Sequence, residues 1–158
     1  MSKPSREDAL AQFRDGARLL REAVAGLSDA DLGARPAPGE WSIREIVHHL
    51  ADGELISAVR LRRLLTEDAP VITGYDEAVY ASRMRYQERS VGPALAAFAA
   101  ARALSSDLLS GLAEADWART GIRGDDRAYG IEQWVRGNAG HVQEHIIQIG
   151  EIRRQIAR

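Results

Sequence analysis

The stretch GEWSIREIVHHLADGE, residues 39–54, marks the start of a long helix and carries two adjacent histidines. Ser42 is followed three residues later by Glu45, which is the spacing of a capping box at a helix N-terminus. Trp41 precedes the cap and is placed to pack against Ile46 as a hydrophobic staple. The stretch therefore predicts a helix that begins directly after Ser42.

The rest of the chain predicts three more long helices, because apolar residues recur at intervals of three and four. The expected long helices cover about residues 6–25, 43–65, 93–112 and 131–156, and a short helix is expected through residues 80–86. The segments between them are rich in Pro, Gly and Asp, and no strand pattern of useful length is present. The predicted fold class is all-α, a four-helix bundle formed by a single domain over residues 1–158.

Two stretches of the sequence echo each other. GLSDADLGARP (26–36) and GLAEADWARTG (111–121) each follow a predicted long helix and precede a helix that carries histidines. The echo favours two related helical hairpins within the bundle. Chance and a shared capping pattern are the alternative explanations for so short a match.

Composition narrows the class of protein. The 158-residue chain has 45% hydrophobic and 28% charged residues, and its net charge of −2 gives no reason to expect nucleic-acid or membrane partners. It has no apolar run of about 20 residues and no signal-peptide pattern, so a cytoplasmic protein is expected. Since it contains no cysteine, any metal must be held by histidine, carboxylate and water.

All four histidines lie in two of the predicted helices. His141 and His145 continue the apolar stripe of the last helix, and their spacing of four puts both rings on one face, about 5–6 Å apart at Cβ. Two such rings can converge on one ion at metal–nitrogen distances of about 2.0–2.1 Å. The alternative is a pair of interior histidines satisfied by hydrogen bonds, and this helix alone gives the two interpretations equal weight.

The second long helix does not by itself identify a third ligand. His48 and His49 flank its apolar stripe on opposite sides. His49 shares its side with Gly53, which can face a neighbouring helix, whereas His48 lies next to Asp52 and is expected at the surface. Periodicity therefore favours His49 over His48 only slightly.

The same helix ends in a basic cluster, RLRRLL (60–65). One interpretation of such a cluster is phosphate binding. The favoured interpretation, however, is a solvated helix end, at which Arg62 and Arg63 interact with the helix dipole.

The two histidine segments resemble the DinB-like (YfiT-like) metal-binding superfamily. RPAPGEWSIREIVHHLADGE (35–54) and NAGHVQEHIIQIGEIRR (138–154) carry its Trp-Ser-Ile, His-Leu and His-x-x-x-His elements, and the resemblance covers nearly the whole chain. It implies a four-helix bundle with a divalent metal ion, usually zinc or nickel, bound by three histidines. Because the family histidine directly precedes a leucine, the resemblance implies His49, His141 and His145 as the ligands.

Three neutral imidazoles leave at least one position on the ion for water or substrate, which is typical of a catalytic site. Such an ion can lower the pKa of bound water toward about 7 or orient a substrate thiolate. The superfamily includes S-transferases that use low-molecular-weight thiols such as bacillithiol or mycothiol. The resemblance therefore favours a metal-dependent thiol S-transferase whose partners are a small-molecule thiol and an electrophile.

Two other functions stay open, a metal-dependent hydrolase and a non-catalytic metal-binding or dimerisation module that forms a homodimer. An enzyme needs a pocket and a reachable acid or base at the open face of the metal, whereas a structural module would close that face with apolar side chains. Asp52 and Glu144 are the nearest acids in the sequence, and residues 66–90, with three tyrosines, are placed to cover the site. The sequence identifies no catalytic residue, substrate or specific metal.

Overall fold

A computed structural model describes residues 5–124 and 126–156, and four long helices dominate this part of the chain. The elements in chain order are α1 (Arg6–Val24), α2 (Asp29–Gly33), α3 (Ile43–Thr66), β1 (Val71–Ile72), α4 (Glu77–Arg83), a 3₁₀ turn (Tyr86–Glu88), α5 (Val91–Ser110), α6 (Glu114–Trp117), β2 (Thr120–Arg123), β3 (Ala128–Gly130) and α7 (Ile131–Ile156). The prediction of an all-α four-helix bundle is confirmed, and each long helix begins and ends within two residues of its expected bounds. None of the described helices is both long and apolar enough to cross a membrane.

Serine N-caps define where several helices begin. Ser42 Oγ accepts a hydrogen bond from the Glu45 N–H at 3.2 Å, and the Glu45 carboxylate accepts one from the Ser42 N–H at 2.9 Å. Ser5 and Ser28 cap α1 and α2 in the same way. Ser42 is unlike them in being fully buried, and its hydroxyl also donates to Gln87 Oε1 at 2.5 Å. The start of α3 is therefore tied to the segment that precedes α5.

The four long helices are not arranged in sequence order. α1 packs against α5 and α7, and α3 packs against the same two helices. Thus α1 and α3, the long helices of the first half of the chain, lie diagonally opposite each other, and so do α5 and α7 of the second half. The helices of the two halves therefore alternate around the bundle, and the two halves interlock. The hairpin relation suggested by the echo is not one of direct packing between α1 and α3 or between α5 and α7.

The two echoing stretches do form equivalent local structures, the short helices α2 and α6. In α2 the Asp31 carboxylate accepts from the Ser28 N–H at 2.9 Å, and in α6 the Asp116 carboxylate accepts from the Ala113 N–H at 3.0 Å. The resemblance between the stretches corresponds to this shared cap, in which a carboxylate satisfies a free N–H at the helix start.

A buried ion pair joins two apolar clusters of the core. Arg102 on α5 donates to Glu54 on α3, and both side chains are only 2% exposed. The guanidinium also donates to the Phe13 carbonyl at 3.0 Å and lies over the rings of Phe13 and Phe98, which belong to the two different clusters. Gly16 on α1 makes room for it, since a Cβ there would lie 2.6 Å from Arg102 Nη1.

A small sheet corrects the expectation that the chain has no strands. β1 pairs with β2 in parallel and β2 pairs with β3 antiparallel, so the segment 118–130, predicted as a loop, contains two strands. The strands are two to four residues long, which is too short for an alternating pattern to reveal. Gly121 allows β2 to pass close to Pro70, because a Cβ would lie 2.5 Å from the Pro70 carbonyl oxygen.

Replacing Ser42 with alanine is expected to lower the free energy of unfolding by about 1–2 kcal/mol, because it removes a buried cap and leaves Gln87 without a donor. The matched control is Ser28→Ala, which removes an exposed cap of the five-residue helix α2 and is expected to cost less than about 1 kcal/mol. Urea unfolding followed by circular dichroism measures both. Equal losses would contradict the special role of the Ser42 cap.

Candidate metal centre

The histidines of α3 and α7 converge on one point. His49 Nε2 lies 3.0 Å from His141 Nε2, which in turn lies 3.1 Å from His145 Nε2. The three candidate ligand nitrogens all lie within 4.8 Å of one another. The structure therefore brings together the three histidines that the family resemblance implies, although two of them are far from the third in the sequence.

This donor set fits a divalent ion. A tetrahedral ion with metal–nitrogen distances of about 2.0–2.1 Å places its ligands about 3.3 Å apart, close to the separations between these nitrogens. Gln148 Oε1 lies 2.8 Å from His145 Nδ1 and can only accept a hydrogen bond, so Nδ1 carries the proton. The lone pair of His145 is then on Nε2, the nitrogen that faces the other two rings.

The surroundings favour the neutral form of these imidazoles, which is the form that binds metals. Burial, followed by repulsion from His145 and His141, lowers the pKa of His49 to about 3. Burial, followed by His145 and Arg102, lowers the pKa of His141 to about 4. Both rings are thus neutral at pH 7 and are available as donors.

His48 corrects the expectation of a surface residue. It is 3% exposed, its ring stacks on Tyr86 with a centroid distance of 5.4 Å, and its Nε2 lies 3.2 Å from the Arg89 carbonyl oxygen. The segment after α4 covers the face of α3 on which His48 lies. This face was expected to be exposed because Asp52, a polar residue, lies next to His48. His48 points away from the three-histidine cluster, whereas the neighbouring His49 packs against Trp41 at 5.0 Å.

A cavity of about 280 Å³ opens beside the cluster, and we call it the His141 cavity. Its walls combine apolar side chains with polar and charged groups. The residues that line it include Leu50, Gly53, Glu54, Arg60, Tyr75, Glu77, Phe98, Arg123, Tyr129, Gly137, His141 and Val142. The face of the cluster is therefore not closed by apolar packing.

Of the three tyrosines in residues 66–90, Tyr75 lies at the His141 cavity, whereas Tyr80 and Tyr86 pack against other side chains. Tyr75 lines the His141 cavity, and its hydroxyl lies over Gly53, where an added Cβ would be 3.2 Å away. Burial, reinforced by the charge of Glu77, raises the pKa of Tyr75 to about 12, so the hydroxyl is a donor at neutral pH. Tyr80 packs against the Tyr75 ring at 4.6 Å, and Tyr86 is buried and donates to Asp52.

Two acids line the His141 cavity, Glu54 and Glu77, and the sequence analysis singled out neither of them. Asp52 is held by Tyr86, and Glu144 is exposed on α7; neither lines the His141 cavity. Glu54 does, and its Oε1 is buried without a hydrogen-bond partner in the described chain, while Oε2 accepts from Arg102. The sequence signal that could have identified Glu54 was a carboxylate at a position of α3 that belongs to its apolar stripe.

Comparison with known families agrees with this arrangement. The profile of the DinB superfamily matches residues 12–149, a span that contains all three converging histidines. The chain belongs to the DinB superfamily. The fold of this DinB-superfamily protein is also that of YfiT from Bacillus subtilis, with a TM-score of 0.90 at 25% identity over 99% of this chain and 90% of that chain. YfiT is described as having an unusual four-helix bundle topology and is proposed to be a metal-dependent hydrolase.

Other relatives differ in how much they share. A Geobacillus thermodenitrificans protein, whose name proposes a metal-dependent hydrolase, is 29% identical over 147 residues, which cover 92% of this chain and 83% of the relative. The structure of a mycothiol-dependent maleylpyruvate isomerase has a TM-score of 0.75 at 15% identity over 95% of this chain and 64% of that chain. The second likeness is one of fold alone.

We expect the purified protein to bind one divalent ion per chain, and the adjacent histidines to differ in their effect on it. His49→Ala should weaken binding by more than the roughly 10–100-fold typical of residues that only support a ligand. His48→Ala should leave affinity nearly unchanged and lower stability, because it removes the stack on Tyr86. Elemental analysis and competition with a chelator measure affinity, and thermal unfolding measures stability.

Failure of chelator-treated protein to bind zinc, nickel or manganese would contradict the site as a whole. A reversed order, with His48→Ala the more damaging to metal affinity, would contradict the assignment of His49.

Proposed function

We propose that this DinB-superfamily protein is a metal-dependent enzyme whose divalent ion, zinc or nickel, is held by His49, His141 and His145. Its reaction is the transfer of a low-molecular-weight thiol to a small electrophile. The observation that carries the proposal is the His141 cavity, which reaches the histidine cluster at His141 and is lined by Glu54, a residue with an unpartnered buried carboxylate oxygen. A purely structural metal site would have this face closed.

The roles of the protein groups follow from their positions. When bound, a divalent ion would supply a site that favours the deprotonated form of a thiol near neutral pH. Glu54 lines the cavity and is the candidate acceptor of the thiol proton, although its unpartnered Oε1 is buried and the carboxylate has to turn toward the cavity to receive that proton. Tyr75 lines the same cavity and is the candidate hydrogen-bond donor to the electrophile. The apolar side chains of Leu50 and Phe98 line the same cavity.

One observation supports a thiol as the nucleophile, which is that the histidine motifs resemble a superfamily that includes S-transferases. Because the chain contains no cysteine, such a transfer would proceed by direct attack of the small thiol on the electrophile, without an enzyme-bound thiol intermediate. The thiol sulfur then forms a bond to the electrophilic carbon, and the thiol proton passes to Glu54. The bond between that carbon and its leaving atom breaks, and the leaving atom departs with the bonding electrons or is protonated.

Hydrolysis is the second candidate function. It is favoured by the names of the full-length relatives, which propose metal-dependent hydrolases. Glu54 is also the candidate base for water activation, because Oε1 carries a lone pair that no hydrogen-bond donor of the described chain occupies. The two functions therefore share a site and differ in the nucleophile that occupies it.

A thiol-transfer panel separates these functions. We expect metal-loaded protein to accelerate the reaction of at least one of bacillithiol, mycothiol, glutathione and cysteine with a generic electrophile such as a chlorodinitrobenzene. Metal-free protein should not, because free thiols with a pKa near 8.5 are mostly protonated at pH 7. Glu54→Gln keeps the shape of the side chain but removes the charge paired with buried Arg102, so it should also lower the free energy of unfolding. In protein that remains folded and keeps its metal, kcat should fall at least tenfold.

Turnover that does not depend on metal would reject the mechanism. Absence of turnover with every thiol, combined with metal-dependent cleavage of ester or amide substrates, would establish the hydrolase instead. If Glu54→Gln matched the wild type in kcat, the carboxylate would not be the proton acceptor.

Gly137 provides a test of whether the cavity is used. It lines the His141 cavity from the first half of α7, and an added Cβ would meet nothing within 4 Å. Gly137→Ala should therefore raise the free energy of unfolding by about 0.5–1 kcal/mol through helix propensity. The same methyl group narrows the cavity and should raise KM for the larger substrates.

The matched control is Gly150→Ala, which lies in the same helix away from the cavity and makes only an ordinary contact with Arg154. It should give the gain in stability without the change in KM. Denaturant unfolding and steady-state kinetics measure the two effects. Unchanged kinetics in Gly137→Ala would show that substrate does not occupy this part of the cavity.

A further inference from the structure

The His141 cavity continues outward past two arginines. Arg60 and Arg123 line it together with the rings of Tyr75 and Tyr129. The same four side chains also line an adjoining cavity of about 390 Å³, which we call the outer cavity. A small molecule can therefore extend from the histidine cluster to the arginines within one continuous groove.

Both guanidinium groups are held in position, and within the part of the chain that the structure describes neither forms an ion pair. Arg60 donates to the Thr73 carbonyl oxygen, and its Cζ lies 6.0 Å from the centroid of the Tyr75 ring. Arg123 Cζ lies 5.1 Å from the centroid of the Tyr129 ring. Within residues 5–124 and 126–156, no carboxylate lies at ion-pair distance from either guanidinium.

Arg60 differs in this respect from the other arginines of the cluster RLRRLL. Arg62 donates to the Ala58 carbonyl at 2.9 Å, and Arg63 pairs with Glu67 at 2.9 Å. These two behave as the sequence predicts for a solvated helix end. Arg60 is the member of the cluster that lines both the His141 cavity and the outer cavity.

The charge along the groove favours an anion at its outer end. Glu77 lines both cavities, but it is exposed in the first turn of α4, and its single negative charge stands against the two positive charges of the arginines. Glu54, the other acid of the wall, is already paired with Arg102. An anion that reaches the two arginines therefore meets an excess of positive charge, and planar guanidinium groups bind oxyanions through paired hydrogen bonds.

We propose that Arg60 and Arg123 bind an oxyanion, a carboxylate or a phosphate, at the end of the substrate remote from the histidine cluster. The side chains of Leu50, Phe98 and Val142 form an apolar part of the wall of the His141 cavity, and an apolar segment of the substrate between the two ends would contact them. The substrate class is thus a small amphiphilic anion. This inference rests on the proposed function only for the position of the reactive end.

The test uses probes that carry no thiol and undergo no reaction, so its outcome is separate from that of the turnover assay. Binding of hexanoate and hexyl phosphate is compared with binding of 1-hexanol by NMR titration, with metal-free and metal-loaded protein. At least one anion should bind more tightly than the alcohol, and the preferred anion identifies the group. Arg60→Gln and Arg123→Gln should each weaken anion binding about three- to tenfold and leave the alcohol unchanged.

Two further variants complete the design. Glu77→Gln removes the opposing charge and should strengthen anion binding, an effect that a misfolded variant would not produce. Arg21→Gln on α1 lies outside both cavities and should change nothing. Anion binding no tighter than that of the alcohol overturns the proposal, and so does binding that ignores both cavity arginines and follows the metal instead.

Discussion

The buried guanidinium of Arg102 is the constraint to which the rest of the bundle is adjusted. Removing a charge from water costs several kcal/mol unless it is paired and fully hydrogen-bonded. The carboxylate of Glu54 and the carbonyl of Phe13 accept from the two terminal nitrogens of Arg102, whereas its Nε has no partner in the described chain. These contacts, with the space left by Gly16, bring α1, α3 and α5 to one point. The same positive charge contributes to the lowered pKa of His141. The core and the histidine cluster thus share one electrostatic environment.

The features that the sequence predicts are those encoded within a few neighbouring residues. The start of α3 follows from Ser42 and Glu45, which are three residues apart and satisfy each other's backbone N–H groups. The pairing of His141 with His145 follows from the geometry of one helix turn. In both cases the helix itself supplies the geometry, so no knowledge of distant contacts is needed.

The features that the sequence does not predict depend on segments that meet only in the folded chain. His48 has polar neighbours on its helix, but it is buried because Tyr86 and Arg89 come from a different segment to cover it. The strands of residues 118–130 are too short to have a period and are defined by their partners. Glu54 lies on an apolar stripe, and only its partner on α5 explains why a carboxylate is tolerated there.

The interlocked order of the helices has a consequence for how the protein matures. His49 and His141 are 92 positions apart in the sequence, on helices contributed by opposite halves of the chain. A chain emerging from the ribosome cannot close the three-nitrogen cluster until α7 has been synthesised and has packed against α3. An ion that requires all three nitrogens would therefore be acquired last, and it would stabilise the finished bundle in preference to any partly folded chain by mass action. Retention of such an ion by a newly made molecule would then report that the two halves of the chain have packed together.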